Sequence, residues 1–257
     1  MKANSQPLFA GIIPARYASS RFPGKPLALI GNKSMIQRVY EQASKSIDLV
    51  CVATDDGRIY DAVMSFGGKA VMTSANHQSG TDRCAEAADL IAGETGGRID
   101  IVINIQGDEP FIKPEQINLV KDCFRDENVQ IATLVRKAEP GEDIFNPNQP
   151  KVIINTQGDA IYFSRAAIPY QREGDKGEWT MKHHYYKHIG LYGYTRAALA
   201  LFHSLPQSPL ELAEKLEQLR YLENGIAIHV AETPFDTVGV DTAADLEQAA
   251  ALLTAGS

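Results

Sequence analysis

The first half of this chain alternates short apolar runs with segments in which apolar residues recur every three or four positions. A short apolar run bounded by turn residues predicts a buried strand, and the wider spacing predicts an amphipathic helix. Because strands alternate with helices, we expect a parallel sheet covered by helices on both faces. The predicted strands are Leu8 to Ile13, Leu49 to Thr54, Lys69 to Met72 and Ile99 to Ile105. The predicted helices are Ser34 to Ser46, Arg58 to Phe66, Thr81 to Ala92 and Pro114 to Asp126.

The second half begins with strand and turn signals and returns to helices after Tyr194. Its predicted strands are Val129 to Val135, Lys151 to Asn155, Ala160 to Phe163, Tyr186 to Tyr194 and Ile226 to Ala231. Its predicted helices are Thr195 to His203, Pro209 to Leu222 and Ala243 to Leu253. We therefore predict an α/β fold with a predominantly parallel, doubly wound, Rossmann-like sheet and an inserted β-rich subdomain.

No internal repeat or linker-like stretch divides the 257 residues, so a single domain is the simplest interpretation. We assign 8–128 to an α/β core, 129–194 to the β-rich subdomain and 195–253 to a return to the core. The polar, glycine-containing stretch 169–182 is long enough to act as a lid or as a partner-contact segment.

A basic loop follows the first predicted strand and ends near Leu27. Its proline and glycine content predicts neither helix nor strand, and its small residues let backbone amides approach an anion. Arg16, Arg21 and Lys25 would supply the positive charge that a triphosphate needs. A solvated basic loop is the alternative interpretation.

Two aspartates stand at positions that suit a metal ion. Asp108 follows a predicted central strand, where open α/β sheets bind ligands, and a carboxylate there suits Mg²⁺. Alternatively, Asp108 only ends the strand or caps the helix that begins at Pro114. Taken alone, Asp241 is placed as the N-cap of a helix from Thr242 to Leu253.

The start of the helix at Thr81 offers polar groups to a ligand. Ser79, Gly80 and Thr81 provide hydroxyls and helix-terminal N–H groups. Ordinary helix capping is the alternative.

Eight short blocks occur in one order between residue 12 and about residue 246. They are Ala15 to Leu27, His77 to Arg83, Gln106 to Pro110, Phe145 to Asn148, Tyr162 to Arg165, His188 to Tyr194, Leu216 to Arg220 and Gly239 to Thr242. Each block alone is a weak signal, but the ordered set is specific. It resembles the 3-deoxy-manno-octulosonate (Kdo) cytidylyltransferase family, also called CMP-Kdo synthetases.

The resemblance implies a nucleotidyltransferase sheet and the reaction of CTP with Kdo to give CMP-Kdo and diphosphate, which activates Kdo for lipopolysaccharide synthesis. It implies a homodimer, and Mg²⁺ as the cofactor, held by Asp108 and Asp241. Asp241 would then serve the helix terminus and the metal at once. The implied catalytic residues are Arg16, Arg21, Lys25, Asp108 and Asp241.

The resemblance also assigns two groups of binding residues. The nucleotide-binding group is Ala15, Arg16, Lys25, Ser79, Gly80, Thr81, Arg83 and Gln106. The sugar-binding group is Arg165, His188, Tyr192, Glu211 and Gln218, in which Arg165 would pair with the sugar carboxylate.

One departure from the family pattern concerns the sugar. Many members carry a histidine where this chain has Leu212, and a lysine has entered at position 215. Because the resemblance places this helix beside the sugar, the alternative is the same chemistry on the 8-amino analogue of Kdo.

Composition and motif spacing exclude other classes of function. The net charge of −7 argues against nucleic-acid binding, and no apolar stretch approaches the ~20 residues of a membrane span. The beginning of the chain shows no signal-peptide pattern, and its three scattered cysteines predict reduced core residues and a cytoplasmic location. His184 and His188 would suit a zinc ion only on a helix, whereas their neighbours favour a strand.

Two rival functions are a glycosyltransferase and a non-catalytic nucleotide sensor. A glycosyltransferase would usually show a D-x-D carboxylate pair, whereas this site has Asp108, Glu109 and Pro110 in sequence. A sensor would be expected to lack a metal ligand or a loop cation, and this chain keeps them all.

Overall fold

The computed structural model describes residues 7–18, 22–77, 79–93 and 96–255. Arg21, one of the predicted catalytic cations, lies outside the described residues. The strands are β1 (Phe9–Ala15), β2 (Leu29–Ile30), β3 (Lys33–Ser34), β4 (Leu49–Thr54), β5 (Ala70–Met72), β6 (Ile101–Asn104), β7 (Ile131–Lys137), β8 (Lys151–Ile154), β9 (Ala160–Ser164), β10 (Tyr186–Thr195) and β11 (His229–Glu232).

Helices cover the sheet on both sides. They are α1 (Met35–Ala43), α2 (Gly57–Ser65), α3 (Gly80–Ala92), α4 (Pro114–Cys123), α5 (Trp179–Lys182), α6 (Arg196–Ser204), α7 (Pro209–Glu214), α8 (Leu219–Glu223) and α9 (Ala243–Ala255). Short 3₁₀ helices span Lys25–Leu27 and Lys176–Glu178.

The central sheet is mostly parallel, as predicted. Its order is β11-β7-β10-β6-β1-β4-β5, and β10 alone runs antiparallel to its neighbours on this path. Both faces of β1 are buried, because Ala10 and Ile12 pack into one hydrophobic cluster and Ile13 and Ala15 into the other. Burial on two faces is typical of a central parallel strand.

The stretch 129–194 shares this sheet. It contributes β7 and β10 to the central order, while β8 and β9 form a hairpin that extends from β10. The predicted lid or partner segment, 169–182, is tied to the body by Trp179, which is buried against Tyr185 and Phe145.

The basic loop begins later than predicted. β1 continues through Pro14 to Ala15, paired with β4, and part of the loop forms a 3₁₀ helix, so the expectation of neither helix nor strand is wrong. A proline is tolerated in this central strand because β6 pairs with β1 only as far as Ile12, whose carbonyl accepts from Ile105 N–H. The N–H that Pro14 lacks would point to the side where pairing has ended.

The predicted helix from Pro209 to Leu222 is broken in two. Lys215 adopts a left-handed backbone conformation, with φ of 53°, between α7 and α8. The break is fixed by long-range contacts described below, which helical periodicity does not reveal.

The three cysteines are free thiols; Cys51 and Cys84 are buried and Cys123 is half-buried. Within the described ranges, every helix is too short or too polar to span a bilayer.

Candidate active site

The loops after β1 and β6 are neighbours at the carboxyl edge of the sheet. β1 lies between β4 and β6, so the strand order reverses there, and open α/β sheets bind ligands at such a switch point. The first loop carries Arg16 and Lys25, and the second carries Gln106 and Asp108. The fold therefore brings the predicted phosphate loop beside the first predicted metal ligand.

Lys25 joins the two predicted metal ligands. Its Nζ lies 2.7 Å from Asp108 Oδ2 and 3.1 Å from Asp241 Oδ1. A backbone hydrogen bond of 2.9 Å from Val240 N–H to the Asp108 carbonyl holds the two segments together. Two carboxylates that reach one cation suit Mg²⁺, which often takes one or two carboxylates together with phosphate oxygens and water. Among the described residues no group of three or more His, Cys, Asp or Glu side chains could hold a metal ion.

A glycine before Asp108 permits a close approach of two chain segments. A Cβ on Gly107 would lie 3.0 Å from the carbonyl oxygen of Pro14, a tight contact that would push the backbone of β1 and this turn apart. The absence of a side chain lets the turn after β6 lie against the end of β1. This close approach sets the position of Asp108.

Thr242, rather than Asp241, caps α9. The Thr242 hydroxyl accepts a hydrogen bond of 3.2 Å from Asp245 N–H, and the Asp245 carboxylate accepts from the N–H groups of Asp241 and Thr242. The expectation that the Asp241 side chain caps the helix is therefore wrong. Its carboxylate points instead to Lys25.

The basic loop is connected to the start of α3. Arg16 donates a hydrogen bond to the carbonyl of His77, just before the predicted nucleotide-binding residues. Ala15, also predicted to bind nucleotide, is the buried last residue of β1. Gly24 precedes the 3₁₀ helix of Lys25 with φ of 73°, a left-handed conformation that glycine adopts without strain.

Ser79 and Thr81 have different roles at the start of α3. Ser79 caps the helix, since its hydroxyl accepts from Asp82 N–H at 3.0 Å, and it also donates to the Asp82 carboxylate. Thr81 donates a hydrogen bond of 3.0 Å to Glu217, across the cleft. Ser79 thus fits the capping alternative, whereas Thr81 reaches towards the predicted sugar-binding region.

A cavity of about 230 Å³, here called the central cavity, lies at this edge of the sheet. It unites six predicted site residues from both binding groups: Gly80, Thr81, Gln106, His188, Tyr192 and Gln218. Residues predicted to bind the nucleotide and residues predicted to bind the sugar therefore line the same cavity.

The aromatic wall of the central cavity is uncharged. Burial lowers the pKa of His188 to about 3, so its imidazole is neutral at physiological pH, and its Nε2 lies 3.2 Å from the hydroxyl of Thr133. Burial likewise raises the pKa of the Tyr192 phenol. Both side chains therefore contribute polarity without charge.

Asn104, Lys215 and Glu217 line the cavity but were not predicted from sequence. Asn104 and the predicted Gln218 are only 3% and 7% exposed, and among the described residues Asn104 Oδ1 and Gln218 Nε2 have no hydrogen-bond partner. Buried polar atoms are normally paired, so these two are suited to a ligand. Asn104 precedes Gln106 by two positions, and this period-2 spacing along the chain after β6 is the signal that would have found it.

A second cavity of about 310 Å³ adjoins the first and shares His188 and Gly190 with it. Glu109 lines this second cavity, and burial, together with the nearby charge of Asp108, raises its pKa to about 8. A Cβ on Gly190 would lie 3.7 Å from both Gln106 and Glu109, so an alanine there would make ordinary contacts with both side chains.

Arg83 does not reach either cavity. Its side chain is fully buried, with hydrogen bonds to Thr73 and, at 3.0 Å, to Asp55. The prediction that Arg83 binds nucleotide is wrong in this geometry, because the guanidinium anchors α3 to the segments after β4 and β5.

The Arg165 side chain donates hydrogen bonds to the backbone. Its guanidinium donates to the carbonyls of Glu214, Pro147 and Lys215 at 2.6, 2.9 and 3.2 Å. Arg165 lines neither cavity, and its predicted pairing with a sugar carboxylate stays a prediction. Arg165 fixes the chain where α7 ends.

Glu211 is also a structural residue. It is buried in an ion pair with Arg220, with hydrogen bonds of 2.6 and 2.7 Å, and it caps α7 through Ser208 N–H. The predicted contact between Glu211 and sugar hydroxyls is therefore wrong. Leu212 is 45% exposed and lies outside both cavities, so its departure from the family pattern does not favour an amino sugar.

Known proteins resemble this chain over almost its whole length. A family model described as Cytidylyltransferase matches residues 10–228. A 3-deoxy-manno-octulosonate cytidylyltransferase of Parabacteroides distasonis is 57% identical over 249 residues, which cover 95% of this chain and 98% of the relative. The enzyme of the same name from Bacteroides thetaiotaomicron is 57% identical over 244 residues, covering 94% and 96%.

Solved structures agree with these relatives. A CMP:2-keto-3-deoxy-manno-octonic acid synthetase complexed with CTP aligns with a TM-score of 0.88 and 44% identity, covering 97% of this chain and all of the other. A 4-diphosphocytidyl-2C-methyl-D-erythritol synthase from Anaerococcus prevotii aligns with a TM-score of 0.63 at 13% identity, covering 97% and 100%, which shows a shared fold.

Proposed function

Since this chain belongs to the 3-deoxy-manno-octulosonate cytidylyltransferases, a family of nucleotidyltransferases, we propose that it transfers CMP from CTP to Kdo and releases diphosphate. The observation that carries the proposal is the meeting of Asp108, Asp241 and Lys25 at the carboxyl edge of the sheet, where Gln106 in the same loop as Asp108 lines the central cavity. A triphosphate is stabilised by cationic side chains, and a metal ion is held by anionic ones. A site that binds both therefore needs side chains of both charges.

In the proposed reaction, the anomeric hydroxyl oxygen of Kdo attacks the α-phosphorus of CTP. The bond from that phosphorus to the bridging oxygen breaks, diphosphate leaves, and the hydroxyl proton is released. Arg16 and Lys25 would stabilise the negative charge that grows on the diphosphate, because preorganised donors lower the barrier to phosphoryl-type transfer. Arg21 would join them.

Asp108 and Asp241 fit the role of Mg²⁺ ligands, since both carboxylates already reach one cation. When bound, Mg²⁺ would neutralise phosphate charge and polarise the phosphoryl oxygens. Lys25 would then turn from the carboxylates to the phosphates.

The central cavity would hold the sugar beside the nucleotide. Gly80, Thr81 and Gln106 would contact cytidine, and His188 and Gln218 would contact the sugar acid. A neutral His188 suits hydrogen bonding to a hydroxyl better than pairing with the carboxylate. The proposal extends to a homodimer in the cytoplasm that supplies CMP-Kdo for lipopolysaccharide synthesis, and its support there is family membership.

The proposal is tested by measuring diphosphate release with each of CTP, ATP and GTP, crossed with Kdo, 8-amino-Kdo and sialic acid. CTP with Kdo should give the highest kcat/KM. Equal turnover with ATP would contradict the cytidylyltransferase assignment. A kcat/KM for 8-amino-Kdo more than tenfold above that for Kdo would contradict the choice of sugar.

A further inference from the structure

The sugar acid carries a carboxylate, and the central cavity contains a cation that could meet it. Of the described residues that line this cavity, Lys215 alone is positively charged, because His188 is neutral. Arg165 does not line this cavity and donates to three backbone carbonyls, and Arg220 is paired with Glu211. Within the part of the chain that the structure describes, the Lys215 ammonium has no hydrogen-bond or ion-pair partner.

The backbone at Lys215 is held in an uncommon conformation. Its φ of 53° is the only positive φ among the described non-glycine residues. Such a conformation costs about 1 to 3 kcal/mol and persists where surrounding contacts impose it, often at a ligand site. Here the contacts come from Arg165, which binds the carbonyls on both sides of the peptide bond between Glu214 and Lys215.

The residues that follow Lys215 also line the central cavity. Leu216, Glu217 and Gln218 all line it, and the unpartnered Nε2 of Gln218 is a donor three positions from Lys215. Glu217 accepts a hydrogen bond from Thr81, and the structure shows no ion pair between its carboxylate and the Lys215 ammonium among the described residues.

We propose that Lys215 recognises the carboxylate of the sugar acid, and that Arg165 is a positioning residue that holds Lys215 towards the cavity. The inference rests on the proposed function and names the residue that selects an acidic sugar. An ammonium and an amide donor on one turn match the two oxygens of a carboxylate.

The test is steady-state kinetics of Lys215→Met and Lys215→Arg. Lys215→Met should raise the KM for Kdo about tenfold or more, the scale for losing a charged hydrogen bond, and change the KM for CTP less than twofold. Lys215→Arg should recover most of the affinity, since it restores the charge. Lys45→Met, which removes an exposed lysine on α1's carboxyl side, is the matched control and should leave both constants unchanged.

Two further variants separate charge from backbone conformation. Lys215→Gly tolerates the positive φ but lacks the charge, so it should lose Kdo affinity as Lys215→Met does. Arg165→Ala should raise the KM for Kdo in the wild-type background, and much less in the Lys215→Met background, because the two residues act through one contact.

The outcomes distinguish the inference from the function on which it rests. If the wild-type protein releases no diphosphate from CTP and Kdo, the proposed function fails. If the wild-type protein is active and Lys215→Met leaves the KM for Kdo unchanged, or raises the KM for CTP instead, the inference is overturned.

Discussion

At the scale of single residues, the candidate site separates side chains that meet a ligand from side chains that hold the fold. Asp108 and Asp241 both pair with the ammonium of Lys25. Thr242, next to Asp241 in the chain, caps α9. Because Asp241 and Thr242 are adjacent, substituting each in turn tests ligand binding and helix capping separately.

Asp108→Asn and Asp241→Asn should each reduce turnover nearly to zero while leaving the melting temperature close to that of the wild type. Each change removes a negative charge from the predicted metal site without removing packing. Thr242→Ala is the control: it should cost about 1 kcal/mol of stability through loss of the cap and keep turnover. Retained activity in Asp241→Asn, measured by diphosphate release, would contradict the metal role.

Lys25→Ala should lower kcat by roughly 10² to 10³, the scale for losing one preorganised donor to a developing negative charge. Lys33→Ala removes a nearby lysine that pairs with Glu41 and should have little effect on kcat. A rise in the KM for CTP at constant kcat would instead mean that Lys25 binds ground state and transition state equally.

His188 should stay neutral throughout the range from pH 5 to 8. Because burial lowers its pKa to about 3, the ring gains no proton there, although an unfolded chain would protonate it below about pH 6.5. The free energy of unfolding should therefore fall as the pH drops below that value. Ring-nitrogen chemical shifts from pH 4.5 to 8 check the protonation state; a midpoint near 6.5 would show an exposed imidazole.

At the scale of helices and strands, the short α7 and α8 depend on one buried ion pair. Glu211 and Arg220 join the two helices, and Arg165 fixes the turn between them. The pair thus supports the turn that carries Lys215.

Arg220→Met should lower the free energy of unfolding by about 3 to 5 kcal/mol, because it leaves the buried Glu211 carboxylate without its partner. Urea denaturation measures this loss, and the Glu211→Gln/Arg220→Met double variant should recover part of it. The pKa of Glu211 is lowered despite its burial, through hydrogen bonds from Arg220, so the pair's contribution is present above about pH 4.5 and is lost as the pH falls through the folded pKa. An Arg220→Met variant as stable as the wild type would contradict this role.

Local pattern was sufficient for elements whose boundaries depend on nearby residues. β4 spans Leu49–Thr54 as predicted, and α4 begins at Pro114, where proline fits the first turn. The break at Lys215 was missed because its cause lies in Arg165, 50 residues earlier in the chain. Helical spacing contains no information about such a partner.

At the scale of the whole molecule, the order of the strands makes the site. Sequence pattern predicted the mostly parallel sheet, and family motifs predicted that Asp108 and Asp241 would meet, although they lie in distant parts of the chain. The roles of Arg83 and Glu211 were misassigned for a common reason. A charged residue within a motif looks the same in sequence whether its partner is a substrate or the fold, and only the structure shows the partner.

Lys25 acts as an internal counter-ion, since its single positive charge offsets half of the negative charge of the two carboxylates before any ligand arrives. A divalent cation held by these carboxylates would displace the ammonium, and a triphosphate would offer the ammonium a new anion. Metal and nucleotide should therefore bind with positive heterotropic coupling, each raising the affinity for the other by the same factor. The protein alone would then hold the metal weakly and retain it mainly while a nucleotide is bound.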